Sequence, residues 1–170
     1  MKHLSKAVLV VAALTLAACT DPSRLGGGYG GAGANGAAGG LNDPSNPISP
    51  AYFQQTIGDR VLFAVDQSTL SDGARATLAG QAGWLAENPE YDALIEGHAD
   101  EQGTREYNLA LGARRANAVQ EYLISRGVAP NRLSVVSFGK ERPIEVCSNE
   151  SCYERNRRAV TVISAGGLGS

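Results

Sequence analysis

A glycine-rich run divides the sequence into two parts of different character. Residues 26–40 read GGGYGGAGANGAAGG and contain nine glycines, and three prolines follow in the next ten residues. Such a segment cannot bury enough apolar surface to offset the conformational entropy lost on ordering it. We therefore predict a disordered tether over residues 19–51 and a folded domain over residues 52–165, followed by a flexible tail at 166–170.

The N-terminus has the pattern of an export signal. Lys2 and Lys6 precede an apolar run that begins at Ala7 and ends in small residues at position 18. About a dozen apolar residues are too few to span a bilayer, so residues 1–18 are typical of a secretory signal peptide. The tetrad LAAC at its end resembles a bacterial lipobox, which implies cleavage before Cys19 and lipidation of that residue. Thr20 in the next position favours the outer membrane, with the domain in the periplasm.

Strand and helix patterns alternate after the tether. β-branched and aromatic residues indicate strands, whereas capping residues and apolar residues three and four apart indicate helices. We predict strands at 56–65, 92–98, 133–139 and 158–164, helices at 71–88 and 104–126, and a short helical turn at 149–156. This order predicts an α+β fold, in which two main helices and a short one pack on a mixed four-stranded sheet.

Each main helix has an apolar stripe that we expect to face the sheet. The stripe of the first helix consists of Ala74, Leu78, Ala82 and Leu85. That of the second consists of Leu109, Gly112, Ala116, Val119 and Leu123. A second stripe begins one residue earlier with the same spacing and consists of Asn108, Leu111 and Arg115. This second stripe should lie at the edge of the buried face.

Two opposite charges are candidates for a binding site. Asp100 follows the strand at 92–98, in the loop that leads to the second helix, and Arg115 lies about three turns along that helix. One possibility is that they receive the two poles of a ligand. The alternative is that they pair with each other or with neighbouring charges.

Other classes of function find little support in the sequence. His98 has no second His within the domain, so a metal site is not indicated, and no Ser, His and acid arrangement suggests an enzyme. We expect neither catalytic residues nor a cofactor. The net charge is −2 and no basic run is longer than Arg157–Arg158, so nucleic acid is not an expected partner.

Three blocks of the domain resemble a known family. The segments EGHADEQGTREYNLALGARRANAVQEYL, VVSFGKERP and NRRAV are similar to the peptidoglycan-binding signature of OmpA-like domains. The resemblance covers residues 52–165 and implies the OmpA-like fold. It also implies a ligand, the diaminopimelate of the stem peptide, whose ammonium would bind Asp100 and whose carboxylate would bind Arg115.

The same resemblance extends the set of site residues and the list of partners. The further site residues are Asn108, Leu111, Thr104 and Asp66. Asp66 lies in LFAVDQ, where family members often read YFDFDK. Lipidated members of the family tether the outer membrane to peptidoglycan within the Tol system of envelope integrity and cell division. TolB and other Tol proteins are therefore expected partners.

Two other functions are compatible with the sequence. The domain could instead be the docking module of a wall-remodelling enzyme, or belong to a protein like those of the flagellar stator, which would require a transmembrane helix.

Cys147 and Cys152 form a C-x4-C pair. We expect the protein to be exported to an oxidising compartment, where disulfides persist. We predict that they form a disulfide.

Overall fold

The computed structural model describes residues 40–166 of the chain. The strands are β1 (Arg60–Leu62), β2 (Tyr91–His98), β3 (Leu133–Gly139) and β4 (Arg158–Ala165). The helices are α1 (Pro50–Tyr52), α2 (Asp72–Glu87), α3 (Arg105–Ser125) and α4 (Glu150–Asn156). The predicted signal peptide, Cys19, most of the tether and the end of the tail lie outside the described residues. Among the described residues, no helix is long and apolar enough to cross a membrane.

The four strands form one mixed sheet in the order β1-β4-β2-β3. β2 and β3 are parallel, whereas β4 is antiparallel to both β1 and β2. A parallel pair needs a long crossover connection, and α3 supplies it between β2 and β3. The predicted α+β fold with a mixed four-stranded sheet is therefore confirmed.

The core lies between the sheet and the two long helices. The predicted stripe of α2 is confirmed, since all four of its residues are buried: Ala74, Leu78, Ala82 and Leu85. α3 contributes Ala116, Val119 and Leu123, and the sheet contributes Ile95 among others. Burial of such side chains stabilises the domain by about 1.5–3 kcal/mol for each large aliphatic residue.

The prediction for α3 was wrong at one residue. Leu109 is 49% exposed, whereas Asn108 and Arg115, predicted at the edge of the buried face, are fully buried. The cause is a contact between backbones, because a Cβ on Gly97 would lie 1.9 Å from the carbonyl oxygen of Gly112. This approach of helix to sheet explains the mid-helix Gly112 and turns the polar stripe inwards.

The start of the domain also differs from the prediction. The predicted strand at 56–65 is reduced to β1, since residues Phe53–Gly58 form a π-helical turn. Phe53 is buried against Trp84, with ring centroids 5.0 Å apart. The indole Nε1 of Trp84 donates to the carbonyl of Pro47 over 2.7 Å. Packing on Trp84 therefore extends the ordered region further towards the N-terminus than the predicted boundary at residue 52.

The predicted disulfide is present. Cys147 and Cys152 are joined, and the bond closes the loop that leads into α4. Asn149 caps this helix, because its side chain accepts a hydrogen bond from the backbone N–H of Cys152 over 3.3 Å. Residues 147–152 form the disulfide loop.

Candidate functional site

An open cleft lies at the end of the sheet where β2 meets the start of α3. Its volume is about 310 Å³. The lining residues come from the loop after β1, the loop after β2 and the first turns of α3: Val65, Asp66, Asp100, Gln102, Gly103, Tyr107, Asn108 and Leu111. Four of the six predicted ligand-binding residues are thus brought together, namely Asp66, Asp100, Asn108 and Leu111.

Asp100 supplies a nearly buried carboxylate to the floor of this cleft. The residue is 8% exposed, and its Oδ1 accepts a hydrogen bond from the backbone N–H of Gln102 over 3.2 Å. Its Oδ2 lies 3.2 Å from Nη1 of Arg157, which is also buried. Arg157 was missing from the predicted site, although it belongs to the NRRAV block. One carboxylate oxygen is therefore engaged by a cation and the other by a backbone donor.

Arg115 lies beneath the cleft and does not line it. Its side chain is fully buried and donates to three backbone carbonyls: Gln67 (2.8 Å), His98 (2.8 Å) and Ala64 (3.2 Å). Burial lowers the pKa of the guanidinium to about 10, although the nearby charge of Asp100 acts in the opposite direction. At neutral pH the residue is therefore a buried cation that joins the loop after β1 to the end of β2.

Tyr107 and Asp66 form one wall of the cleft. The phenol of Tyr107 donates to Oδ1 of Asp66, and this hydrogen bond raises the pKa of the tyrosine. Asp66 adopts φ 57°, in the left-handed region that Asp tolerates better than most residues. Sequence reasoning missed Tyr107, although it lies four residues before Leu111 and must share a helix face with it.

The loop after β2 is held in place by side chains of other elements. The amide of Asn108 donates to the carbonyl of Gln102 over 2.7 Å, and Lys140 donates to that of Gly103 over 2.7 Å. Thr104 is the N-cap of α3, since its hydroxyl accepts from the N–H of Tyr107 over 3.2 Å. Thr104, which was predicted as a site residue, therefore caps the helix in this structure.

The site combines two carboxylates that face the cleft with two cations buried beneath it. Asp66 and Asp100 can accept hydrogen bonds from an ammonium group. Arg115 and Arg157 provide fixed positive charge beneath them, in a buried region where charges are weakly screened. Val65 and Leu111 add apolar walls. Such an arrangement suits a small ligand that carries both an ammonium and a carboxylate.

His98 is a buried histidine next to this site. Its ring is 1% exposed and packs 5.5 Å from that of Phe138, while its carbonyl holds Arg115. Burial, together with Arg158 and Arg142, lowers the pKa of the ring to about 4. Glu96 Oε2, 3.6 Å from Nε2, would favour the protonated ring, but burial and two cations outweigh this one contact.

We predict a loss of stability on acidification that depends on His98. The unfolded chain takes up a proton near pH 6.5 and the folded chain only near pH 4, so the stabilisation is complete above pH 6.5. It should disappear as the pH falls to 4, with a total on the order of 3 kcal/mol. Urea unfolding at pH 7.5, 5.5 and 4 measures it, with His98→Leu as the control. Equal pH dependence in both proteins would contradict the prediction.

Comparison with known sequences identifies relatives of the whole chain. The sequence profile of the OmpA family matches residues 62–157. The peptidoglycan-associated lipoprotein of Rhizobium meliloti is 48% identical over 163 residues, which is 96% of this chain and 88% of that protein. The peptidoglycan-associated lipoprotein of Mesorhizobium japonicum is 46% identical and covers 94% of this chain and 92% of its own length.

Solved structures share the fold of this chain, and one of them is also a relative by sequence. The crystal structure of the peptidoglycan-associated lipoprotein from Burkholderia pseudomallei matches with a TM-score of 0.64 and 38% identity, over 72% of this chain and 100% of that one. The C-terminal domain of Helicobacter pylori MotB, at 23% identity and a TM-score of 0.59, covers 63% of this chain and 84% of its own and shares the fold. The chain therefore belongs to the OmpA family, and its relatives over nearly the full length are peptidoglycan-associated lipoproteins.

Proposed function

We propose that this protein binds peptidoglycan non-covalently through the cleft, and that it recognises the diaminopimelate of the stem peptide. The observation that carries the proposal is the carboxylate of Asp100, which lines an open cleft above two buried arginines. The side chain of diaminopimelate ends in an ammonium and a carboxylate, so it requires one acceptor and one positive region close together. The relatives are peptidoglycan-associated lipoproteins, which supports peptidoglycan as the ligand.

Each pole of the ligand has its own place in the proposed complex. The ammonium would approach Oδ1 of Asp100, the oxygen that Arg157 does not contact. The carboxylate would lie towards Arg115, whose charge acts from beneath the cleft. Leu111 would contact the aliphatic carbons between the two poles. The charge-assisted contact with Asp100 would contribute about 1.5–3 kcal/mol, which corresponds to about a tenfold to hundredfold gain in affinity.

The carboxylate contact leads to a prediction on modified cell wall. Amidation of the side-chain carboxylate of diaminopimelate removes the negative charge that Arg115 would attract. We expect binding to such wall to fall about tenfold, which corresponds to a loss of about 1.4 kcal/mol. Co-sedimentation with amidated and unmodified sacculi measures the difference. Equal retention on both would contradict the assigned orientation, although not binding itself.

We further propose that the domain acts as a non-catalytic link between two layers of the envelope. In this account a lipid on Cys19 holds the protein in the outer membrane, and the glycine-rich tether allows the domain to reach the wall. TolB and other Tol proteins would be its protein partners. The LAAC tetrad and the similarity to lipoproteins over almost the whole chain support the anchor.

The anchor gives a direct prediction. Cys19→Ser removes the sulfur that would carry the lipid, so the protein should be released from membranes without detergent. Several acyl chains hold a protein durably, whereas without them only the wall contact would remain. Fractionation of cells after digestion of the wall measures the change, with Cys147→Ser as a control that keeps Cys19. Membrane retention of a Cys19→Ser protein that has lost residues 1–18 would disprove lipid anchoring.

A further inference from the structure

Arg157 distributes its three guanidinium nitrogens among three different acceptors. Nε donates to the carbonyl of Phe63 over 3.2 Å, and Nη1 donates to Oδ2 of Asp100 over 3.2 Å. Nη2 donates to Oε1 of Glu150. The side chain of Glu150 is 65% exposed, whereas that of Arg157 is 5% exposed. A surface carboxylate thus shares a buried cation with the carboxylate on the floor of the cleft.

This sharing determines how much of Asp100 is available to a ligand. A guanidinium frequently binds a carboxylate through two parallel N–H···O bonds. Nη2 of Arg157 donates to Glu150, so only Nη1 donates to Asp100, at Oδ2. The other oxygen, Oδ1, has only the backbone N–H of Gln102 at 3.2 Å and keeps acceptor capacity towards the cleft.

Glu150 lies within the disulfide loop. Glu150 is the first residue of α4 and lies between the two bonded cysteines. The same loop touches the rim of the cleft, because the hydroxyl of Ser148 lies 3.5 Å from Oε1 of Glu101. Closing the loop limits the positions that the Glu150 carboxylate can take relative to Arg157.

We propose that Glu150 is a positioning residue for the recognition of an ammonium group, because it draws one arm of Arg157 away from Asp100, and that the disulfide loop holds it there. This inference rests on the proposed binding of diaminopimelate at Asp100. It assigns a ligand-binding effect to an exposed residue that neither lines the cleft nor contacts the ligand.

The first test separates this role from a merely structural one. The probes are a disaccharide tripeptide released from the wall, which ends in diaminopimelate, and the same compound acetylated on its side-chain ammonium. Glu150→Ala, which removes both the charge and the acceptor, should weaken binding of the first compound about tenfold by calorimetry and leave the weaker binding of the second unchanged. Glu154→Ala, which removes an exposed side chain from the same helix, should change neither. Equal weakening of both compounds by Glu150→Ala would overturn the proposal.

The second test needs no ligand, so it distinguishes failure of this inference from failure of the proposed function. In a crystal structure of the Glu150→Ala protein, Nη1 and Nη2 of Arg157 should both lie within hydrogen-bond distance of Asp100. The Cys147→Ser/Cys152→Ser protein should show the same shift. An Arg157 that keeps a single contact with Asp100 in the Glu150→Ala protein would overturn the inference, even if the wild-type protein binds the wall compound.

Discussion

Arg115→Met is expected to lower the free energy of unfolding by about 3–5 kcal/mol, the largest effect of any single substitution in the site. Methionine fills much of the same volume but donates no hydrogen bond. The carbonyls of Gln67, His98 and Ala64 would lose their shared donor, and that of His98 is buried. An unsatisfied buried group costs about 1–3 kcal/mol, and Asp100 would also lose the attraction of a nearby cation. The loop after β1 should separate from the end of β2.

Urea unfolding of Arg115→Met and Arg114→Met measures this effect. The two arginines are neighbours on α3, but Arg114 is exposed, so its replacement should change stability by less than about 0.5 kcal/mol. Equal stability of the two variants would contradict the structural role of Arg115. The same result bears on binding studies, because loss of binding in an Arg115 variant is informative only if the domain is shown to be folded.

Asp100→Asn is expected to abolish most wall binding while the domain stays folded. The amide has the shape of the carboxylate, and its oxygen can still accept from the N–H of Gln102, but it has no charge for an ammonium to pair with. Arg157 keeps Glu150 and the carbonyl of Phe63 as partners. We expect at least a tenfold loss of affinity, equivalent to a charge-assisted contact of about 1.5–3 kcal/mol.

Co-sedimentation with purified sacculi measures the loss, and circular dichroism verifies the fold of each variant. Asp72→Asn is a matched control, since Asp72 is exposed in the first turn of α2, away from the cleft. That control should sediment like the wild type. A folded Asp100→Asn protein that is retained as strongly as the Asp72→Asn control would refute the assignment of Asp100.

The order of strands and helices was predictable because it depends on local patterns. Ser71 and Thr104, where the two predicted helices begin, are the N-caps of α2 and α3, and the stripe of α2 is buried as its spacing required. The rotation of α3 was not predictable. It depends on a backbone contact between Gly97 and Gly112, which belong to different elements, and apolar periodicity assigned the buried face to Leu109 instead of Asn108.

The candidate site was predicted as a set of residues but not as a network. Asp100 and Arg115 were expected to hold a ligand directly, yet Arg115 bonds to backbone carbonyls that no sequence motif reveals. Arg157 reaches Asp100 across 57 residues of sequence. Such contacts depend on β4 lying between β1 and β2, which the order of elements alone does not specify. The resemblance to OmpA-like domains suggested the ligand, whereas the structure shows which groups contact each charged side chain.

A crystal structure of the protein with the wall-derived disaccharide tripeptide tests the central claim most directly. We predict that the diaminopimelate ammonium lies about 3 Å from Oδ1 of Asp100, and that its carboxylate lies on the side of the cleft nearest Arg115. The aliphatic chain should cross Leu111 between them. A ligand bound on another surface, or one whose ammonium points away from Asp100, would contradict the account.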